Sequence, residues 1–218
     1  MIAALYVATN GVYYGLPDVD PYDINRDARR YKGPHPVVAH PPCERWGAFS
    51  TGGLVMAGKY KTGDDGGCFS KAIECVRAFG GVLEHPARSK AFRRFGLGTP
   101  RVGVWTESDD GIGHIVQVDQ GHFGHAAKKP TWLYAVGCNL PALPVKPSPE
   151  TWRNDSDKSE RWKARAEKDG VCVLLSKKQR AATPVAFRDL LIKMAESSVV
   201  LSADDEMDSL IKLYEAKR

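Results

Sequence analysis

Cys43 is the residue whose surroundings best suit it to act as a nucleophile. It follows a short apolar run and two prolines in the string Ala-His-Pro-Pro-Cys-Glu-Arg-Trp. Because prolines cannot continue a central strand, the thiol is predicted to lie on a stiff turn beyond a strand end, where ligands bind in open α/β sheets. A thiolate there could attack an electrophilic carbon, and Arg45 or a following helix start would favour the ionised form. The alternative is a small buried hydrophobic residue, as most lone cysteines are, although the two prolines favour a positioned nucleophile.

Glu84 is the second candidate, in the string Gly-Gly-Val-Leu-Glu-His-Pro. The apolar residues 81–83 are predicted to form a strand that ends at this carboxylate. If Cys43 and Glu84 end neighbouring strands, both face one cleft. A carboxylate in such a cleft can have a raised pKa and act as a proton donor. Taken alone, the residue is better explained as a capping or salt-bridging glutamate.

A basic loop supplies the third group of candidates. Residues 119–130 lie between predicted strands at 115–118 and 131–136, and they include two histidines and the adjacent lysines Lys128 and Lys129. Paired lysines before a strand can hold phosphate groups as point charges. The alternative is an ordinary solvated loop.

These candidates depend on a predicted alternation of strands and helices. Residues 2–8 are apolar and β-rich and are predicted to form a buried strand, and a second short strand at 36–39 precedes Cys43. Farther along, residues 68–79 place apolar side chains at helical spacing, and Gly80 follows as a stop signal. This order predicts an α/β fold with a mainly parallel sheet and flanking helices.

We expect three segments along the chain. Residues 1–137 are predicted to form the α/β core that carries the candidate site. Residues 138–170 contain several closely spaced prolines, then charged residues with two tryptophans, and are interpreted as an extended connector and a small charged insertion. Residues 171–218 are predicted to complete the core with a strand and two helices, of which the second begins after Ser202 with Asp205 in a capping box.

Composition restricts the class of protein. A chain of 218 residues with 43% hydrophobic and 26% charged residues is a soluble globular protein, which excludes a disordered chain, a fibre and a coiled coil. No apolar run approaches the roughly 20 residues of a membrane span, so no membrane contact is expected. The five scattered cysteines and the lack of a secretory pattern favour reduced thiols in the cytoplasm, with no metal site. The net charge of +5 indicates a mild preference for anionic partners, and ordinary solubility explains it equally well.

The order of these motifs resembles that of the DNA cytosine-5 methyltransferases. Pro42 and Cys43 resemble the Pro-Cys motif, whose thiol attacks C6 of a flipped cytosine. The strand end at Glu84 resembles the Glu-Asn-Val motif, whose glutamate holds the protonated N3, with His85 here in place of asparagine. The chemistry that the resemblance implies is coherent, because attack at C6 with a proton at N3 makes the poorly nucleophilic C5 enamine-like.

The resemblance extends beyond these two motifs. Residues 125–137 are similar to the family's Gln-x-Arg-x-Arg motif and its strand, with Lys128 and Lys129 but no glutamine or arginine. Residues 182–184, Ala-Thr-Pro before a predicted helix, resemble the closing Asn-Ala-Val-Pro helix. The strings Gly-Leu-Pro-Asp-Val-Asp-Pro and Ala-His-Pro-Pro-Cys also resemble those of short bacteriophage-encoded proteins described as DNA methylases, which implies a host-cytoplasmic protein.

The resemblance implies a Rossmann-like, methyltransferase-type sheet, S-adenosylmethionine as methyl donor and DNA as partner. The acidic residues Asp18 and Asp20 resemble the strand end that holds the cofactor ribose, and Asn10 and Gly11 lie in the turn nearest to the family's cofactor loop. Because the target base must leave the duplex, Trp46, Phe49 or the glycine-rich loop would fill the vacated stack. The residues expected to contact DNA are Arg45, Trp46, His85, Lys128 and Lys129.

Departures from the family pattern leave other classes open. The Phe-x-Gly-x-Gly loop is absent, and the nearest string, residues 7–15, runs to Asp18 without room for the usual first helix. The region left for target recognition, about 138–170, is small, so high sequence specificity is not expected. A non-catalytic nucleic-acid-binding protein on a degenerate methyltransferase fold is one alternative, and a base- or nucleoside-modifying enzyme with another donor is a second. A zinc deaminase is excluded because its His-x-Glu and Pro-Cys-x-x-Cys strings are absent, and nothing in the sequence pairs a histidine with Cys43 as a cysteine hydrolase requires.

Overall fold

A seven-stranded sheet organises the part of the chain that the computed structural model describes, residues 1–47, 50–51, 58–148 and 175–199. The strands are β1 (Ile2–Leu5), β2 (Val19–Tyr22), β3 (Val37–Ala39), β4 (Gly81–Pro86), β5 (Thr106–Glu107), β6 (His114–Asp119) and β7 (Pro130–Val136). The helices are α1 (Cys68–Phe79), α2 (Lys90–Arg94), α3 (Lys177–Ala181) and α4 (Val185–Glu196), with short 3-10 helices at Ala28–Arg30 and Gln120–Phe123. The spatial order of the strands is β2-β1-β3-β4-β7-β6-β5.

The sheet is mixed. The neighbours β2, β1, β3 and β4 are parallel, whereas β4–β7, β7–β6 and β6–β5 are antiparallel. The predicted α/β fold is therefore confirmed, but the expectation of a mainly parallel sheet is not. The reason lies in the loop between β6 and β7, which is too short for a crossover and instead returns the chain beside the strand it has just left.

Two hydrophobic layers cover the two faces of the sheet. Side chains alternate along a strand, so Ala3 and Leu5 of β1 face the layer that contains α1, and Ile2 and Ala4 face the layer that contains α4. The apolar stripe of α1 and that of α4 are buried against these faces, at Phe69, Ala72, Ile73 and Val76 and at Phe187, Leu191 and Met194. Burial on both faces explains why β1 and β3 read as continuous apolar runs in the sequence.

A double glycine brings β4 against β3. Gly80 ends α1, and Gly81 has a φ of 115°, where a Cβ would lie 2.0 Å from the carbonyl oxygen of Val37. Only glycine permits this approach of the two backbones. The close fit sets the register Ala39 opposite Leu83, which fixes how the residues beyond each strand meet.

Several element boundaries differ from the sequence predictions. The helix at 68–79 is confirmed, and the first strand ends at Leu5 because Tyr6 turns the backbone to a φ of 60°. Glu84 lies within β4 rather than after it, because β7 pairs with β4 as far as Pro86. The predicted insertion at 150–169, the strand at 171–175 except its last residue, and the helix after Ser202 lie outside the described residues.

Candidate functional site

Cys43 and Glu84 meet at the carboxyl edge of the parallel strands. Since β3 and β4 are parallel neighbours, the chain leaves β3 toward Cys43 at the same edge where Glu84 stands, as the sequence predicts. The charge of Glu84 acts on the Cys43 thiol. Cys43 is exposed and lines a cavity with His85, the chain neighbour of Glu84, whose own side chain is 12% exposed.

A chain of hydrogen bonds holds Glu84. Its Oε2 lies 3.0 Å from Nδ1 of His40, and Nε2 of His40 lies 2.8 Å from the hydroxyl of Tyr13. On the other side, Nε2 of Gln120 donates to Oε1 of Glu84 at 3.2 Å and to the hydroxyl of Thr131 at 2.9 Å. His40 and Gln120 thus bond the carboxylate directly, and Tyr13 and Thr131 hold these two residues in turn.

Lys129 closes the site from the basic loop. Its backbone has a φ of 44°, and its Nζ donates to the carbonyl of Ala182 at 2.7 Å and to that of Ala181 at 3.3 Å. Burial lowers the pKa of Lys129, although the charges of Glu84 and Cys43 oppose this shift. Lys129 therefore joins the segment after α3 to the site, in addition to any contact it makes with phosphate.

Glu84 is held as a carboxylate. Burial alone would raise its pKa, but the hydrogen bond and charge of His40, together with Lys129, outweigh burial and keep the pKa below its ordinary value. The sequence-based expectation of a raised pKa is therefore wrong, because it did not include the histidine partner. A proton that Glu84 gives to a substrate must reach it from another group.

The Cys43 thiol is not activated as expected. Burial raises its pKa, the charges of Glu84 and Glu44 raise it further, and Lys129 partly opposes them. Arg45, the expected partner of the thiolate, instead places its guanidinium 3.6 Å from the centre of the Tyr60 ring. The cysteine is therefore a thiol near neutral pH until something shifts this balance.

Three cavities surround this edge. One of about 390 Å³ is lined by Cys43, by His85 and by residues 86–90. A second, of about 410 Å³, lies beyond β1 and β2, and a third, of about 290 Å³, adjoins His40. The second and third share Tyr6 and Val7, so they flank the same short segment after β1.

The predicted cofactor residues are spread over two edges of the sheet. Asn10 and Gly11 follow β1 in a turn, and Gly11 lines the cavity beside His40. Asp18 precedes β2 and so lies at the opposite edge from Cys43, while Asp20 lies within β2 and is ion-paired with Arg26. The acidic residue at the carboxyl end of β2 is Asp23, three positions beyond Asp20, because β2 runs farther than the sequence suggested.

Asp23 is a buried carboxylate that lines the 410 Å³ cavity. The hydroxyl of Thr9 donates to its Oδ2 at 2.7 Å, and the backbone amide of Asn25 donates to its Oδ1 at 2.9 Å. Hydrogen bonds from Thr9, Tyr14 and Asn25 hold its pKa below the ordinary value. The sequence prediction missed this residue because the segment before it, Val-Asp-Pro-Tyr, contains an aspartate and a proline and does not have the pattern of a strand.

Two residues expected to contact DNA are buried. Trp46 is 2% exposed, packs against Phe69, and donates from its indole nitrogen to Asp65 at 2.8 Å. His85 is 1% exposed and meets Phe69 edge-on. As the structure stands, both are core side chains and Trp46 is not placed to fill a vacated base stack. Phe49, the other aromatic candidate for that stack, lies outside the described residues.

Lys128, another predicted DNA contact, is partly exposed, with 33% of its side chain accessible. Its Nζ lies 3.9 Å from Asp119, whose side chain is almost fully buried. A single distant carboxylate leaves the ammonium group free to meet a phosphate as well. The two adjacent lysines thus differ, since Lys129 turns inward and Lys128 outward.

His85 makes the fold sensitive to acid. Burial lowers its pKa to about 4, with Glu84 and the Pro42 carbonyl opposing, whereas the unfolded chain binds the proton near 6.5. This histidine therefore leaves the free energy of unfolding unchanged above pH 6.5. The free energy of unfolding decreases as the pH falls toward 4, by about 2 kcal/mol between about pH 7 and pH 5. We expect His85→Phe to remove this loss, as measured by urea unfolding at both pH values. His114→Gln, at the start of β6, is the matched control, and an unchanged acid loss in His85→Phe would contradict the assignment.

His40, Tyr13 and Gln120 were missed as members of the site by the sequence analysis. His40 carried a usable signal, because it stands directly after β3 and the parallel register places it opposite Glu84. Gln120 follows β6 directly, but only the mixed sheet brings that strand near β4. Tyr13 gave no signal, since its approach depends on the path of an irregular loop.

Neither of two comparisons with known proteins assigns a role to this site. A scan against protein-family models and a search of the curated proteins each found no match. Among the described residues, no three His, Cys, Asp or Glu side chains gather closely enough to hold a metal ion. Within those same ranges, no helix combines the length and apolar character that crossing a bilayer requires.

Proposed function

We propose that this protein is a DNA base-modifying enzyme resembling a cytosine-5 methyltransferase, with Cys43 attacking C6 of a flipped cytosine and Glu84 at N3. The observation that carries the proposal is the convergence of an exposed thiol and an oriented carboxylate at one sheet edge. A salt-bridging glutamate, the alternative for Glu84, would bond His40 and Gln120 in the same way, and the exposed 12% of the Glu84 side chain is what leaves it open to a ligand.

The chemistry assigned to these two groups is balanced. The thiolate of Cys43 supplies the electron pair of a new S–C6 bond, and the C5=C6 pair moves through C4 toward N3, where a proton is taken up. The resulting enamine carries electron density at C5, which can then form a bond to an electrophile or to a proton. Glu84 holds N3 during this shift. At the end, water takes the C5 hydrogen as a proton, the electron pair of the broken C5–H bond re-forms C5=C6, the S–C6 pair leaves on the Cys43 thiolate, and N3 releases its proton, which restores the aromatic ring.

The 410 Å³ cavity is the proposed site for S-adenosylmethionine, which would supply the methyl group. Its volume suits a nucleoside-sized ligand. Asp23 and Asp27 line it at the end of β2, where a carboxylate can accept from ribose hydroxyls. Tyr6 also lines it, and its buried hydroxyl has no hydrogen-bond partner among the described residues. These groups fit a ribose and its base, and Pro42 connects the cavity to the turn that carries Cys43.

The strand directions support the finer description of the fold in this proposal. β1, β2, β3, β4 and β6 run in one direction, and β7 is inserted between β4 and β6 in the other. We infer a Rossmann-like, methyltransferase-type sheet on this basis. The DNA backbone would meet the same edge through Lys128, and through Arg88 and Lys90 beside Cys43.

One observation favours a second candidate function, an enzyme on this scaffold that uses a different donor. The two carboxylate oxygens of Asp23 already accept hydrogen bonds from Thr9 and Asn25, which leaves fewer positions for ribose hydroxyls. The family's glycine-rich loop is also replaced by residues 7–15. In this case the Cys43 chemistry is the same and only the electrophile differs.

We expect the wild-type protein to release tritium from DNA labelled at cytosine C5, because the enamine exchanges its C5 hydrogen with water even without a donor. Single-stranded and duplex DNA of mixed sequence should both be used, and the single strand should react faster since no base pair must open. Calorimetry with S-adenosylmethionine, run in parallel, tests whether this compound binds and can therefore be the donor. Release of tritium without heat from S-adenosylmethionine would favour a different donor. No release from either DNA would contradict the base-modifying function and leave a non-catalytic binding protein.

A further inference from the structure

We propose that His40 supplies, through Glu84, the proton that the target base takes up at N3, which makes His40 a proton-donating positioning residue of the site. The inference rests on the proposed function and extends it to a residue to which the family resemblance assigns no role. The observation behind it is the hydrogen-bonded chain from Tyr13 through His40 to Glu84.

The geometry places His40 between a proton acceptor and a partner that suits both of its protonation states. Nδ1 faces Oε2 of Glu84 at 3.0 Å, so it is the nitrogen that can give up a proton in this direction. Nε2 faces the Tyr13 hydroxyl at 2.8 Å. Once Nδ1 has given up its proton, the neutral ring keeps its hydrogen on Nε2, so the Tyr13 hydroxyl accepts from Nε2–H in both protonation states.

This arrangement differs from that of a structural histidine. In His125 of the same protein, Nδ1 accepts from the backbone amide of Ala127 and Nε2 donates to the carbonyl of Gln179, so its ring links backbone segments. His40 instead bonds only side chains in the described structure, while its backbone amide is fixed separately by the carbonyl of Leu5. Its side chain is 13% exposed and adjoins a 290 Å³ cavity, so the ring also reaches the solvent from which it can regain a proton.

The transfer from His40 supplies the proton that Glu84, which is ionised at rest, does not itself carry. The Nδ1–H bond of the His40 imidazolium breaks, its electron pair stays on Nδ1, and the Glu84 carboxyl carries the proton to N3. The imidazolium becomes a neutral imidazole, and Glu84 ends as a carboxylate. The negative charge of the Cys43 thiolate is neutralised in the same step, because its electron pair becomes the S–C6 bond as N3 is protonated.

The charged and titratable groups around His40 come from every neighbouring element. Glu84 and His85 approach His40 from β4, while Cys43 from the turn after β3 and Lys129 from the loop before β7 act on Glu84. Tyr13 and Lys178 line the same cavity as His40, and Arg188 and Asp189 of α4 act on Tyr13. Burial, then the charge of Glu84, raises the pKa of Tyr13, so its hydroxyl keeps its proton throughout.

The test is the pH profile of tritium release from DNA labelled at cytosine C5, for the wild type and His40→Asn. We expect a wild-type profile that has an alkaline fall in addition to the rise that follows ionisation of Cys43. Asparagine keeps a donor toward Glu84 but no titrating proton, so the rate should fall by roughly 10²-fold, with the KM for DNA changed only a few-fold and the alkaline fall absent.

The outcomes separate this inference from the proposed function. Release by the wild type together with an unchanged profile in His40→Asn would overturn the role of His40 while leaving the base-modifying function intact. No release by the wild type would overturn both. If thermal unfolding shows that His40→Asn does not fold, Tyr13→Phe takes its place. That variant should lower the rate by roughly 10-fold and flatten the alkaline limb, whereas a purely structural hydroxyl would lower stability without changing the shape of the profile.

Discussion

Replacing Cys43 with serine should abolish tritium release from DNA labelled at cytosine C5, by at least about 10⁴-fold, because a serine hydroxyl is far less acidic and less nucleophilic than a thiol. The same substitution should remove the gel-stable adduct that the wild type forms, in the presence of donor, with DNA containing 5-fluorocytosine. Fluorine at C5 cannot leave as a cation, so the S–C6 bond persists once C5 has been alkylated. The measurements are scintillation counting of released tritium and a denaturing gel.

Cys138→Ser is the matched control for this substitution. Cys138 is half-buried and its thiol donates to the carbonyl of Gly81, which begins β4, so it stands at the opposite end of the strand from Glu84. We expect this variant to keep the wild-type rate and adduct. Because Cys43 is exposed, its substitution should leave the thermal unfolding temperature nearly unchanged. Full activity in Cys43→Ser would show that the nucleophile is another group, whatever else the site does.

The part of the site that the sequence predicts is the part set by strand ends. An apolar run stopped by prolines places Cys43 beyond β3, and a second run places Glu84 near the end of β4. The two strands are neighbours because the helix between them, Cys68–Phe79, returns the chain parallel to β3. Local patterns of this kind depend on hydrophobic periodicity and turn residues, both of which can be read from one sequence.

The protonation states of the site could not be predicted in the same way. Whether a carboxylate at a strand end has a raised or a lowered pKa depends on the group across the register, and here that group is His40. The Cys43 thiol shows the opposite error, since Arg45 lies two positions away in sequence but stacks on Tyr60 instead. Sequence separation says little about the direction of a long side chain, and the sign of a pKa shift depends on that direction.

The mixed sheet was missed for a related reason. Strand patterns at β6 and β7 are recognisable, but both are compatible with a parallel sheet or with a hairpin. The loop at 120–129 determines that β6 and β7 form an antiparallel pair. It turns through a 3-10 helix, and the backbone amide of Gln120 donates to the carbonyl of Lys129. This pairing is what delivers both Gln120 and Lys129 to Glu84, so the departure from the predicted topology also completes the site.

Glu84→Gln is expected to lower the rate of tritium release by roughly 10²- to 10⁴-fold while the protein stays folded. Glutamine keeps the size of the side chain and can still bond His40 and Gln120, but it cannot carry a proton from Nδ1 to N3. The loss should appear in kcat rather than in the KM for DNA, because the interaction is needed in the transition state more than in binding. Glu74→Gln changes an exposed glutamate on α1 that pairs with Lys71, and this matched control should keep the wild-type rate.

Stability measurements give Glu84→Gln a second, independent readout. The folded-state pKa of Glu84 is lowered, so its carboxylate stabilises the wild type above the unfolded value of about 4.3 and loses this contribution as the pH falls through the folded value. The variant should therefore unfold at lower urea than the wild type near neutral pH, and the difference should shrink on acidification. A variant that shows this convergence but keeps full tritium release would make Glu84 a structural partner of His40 and exclude it from the chemistry. A variant that loses the rate without any pH-dependent change in stability would contradict the pairing from which the carboxylate's charge was derived.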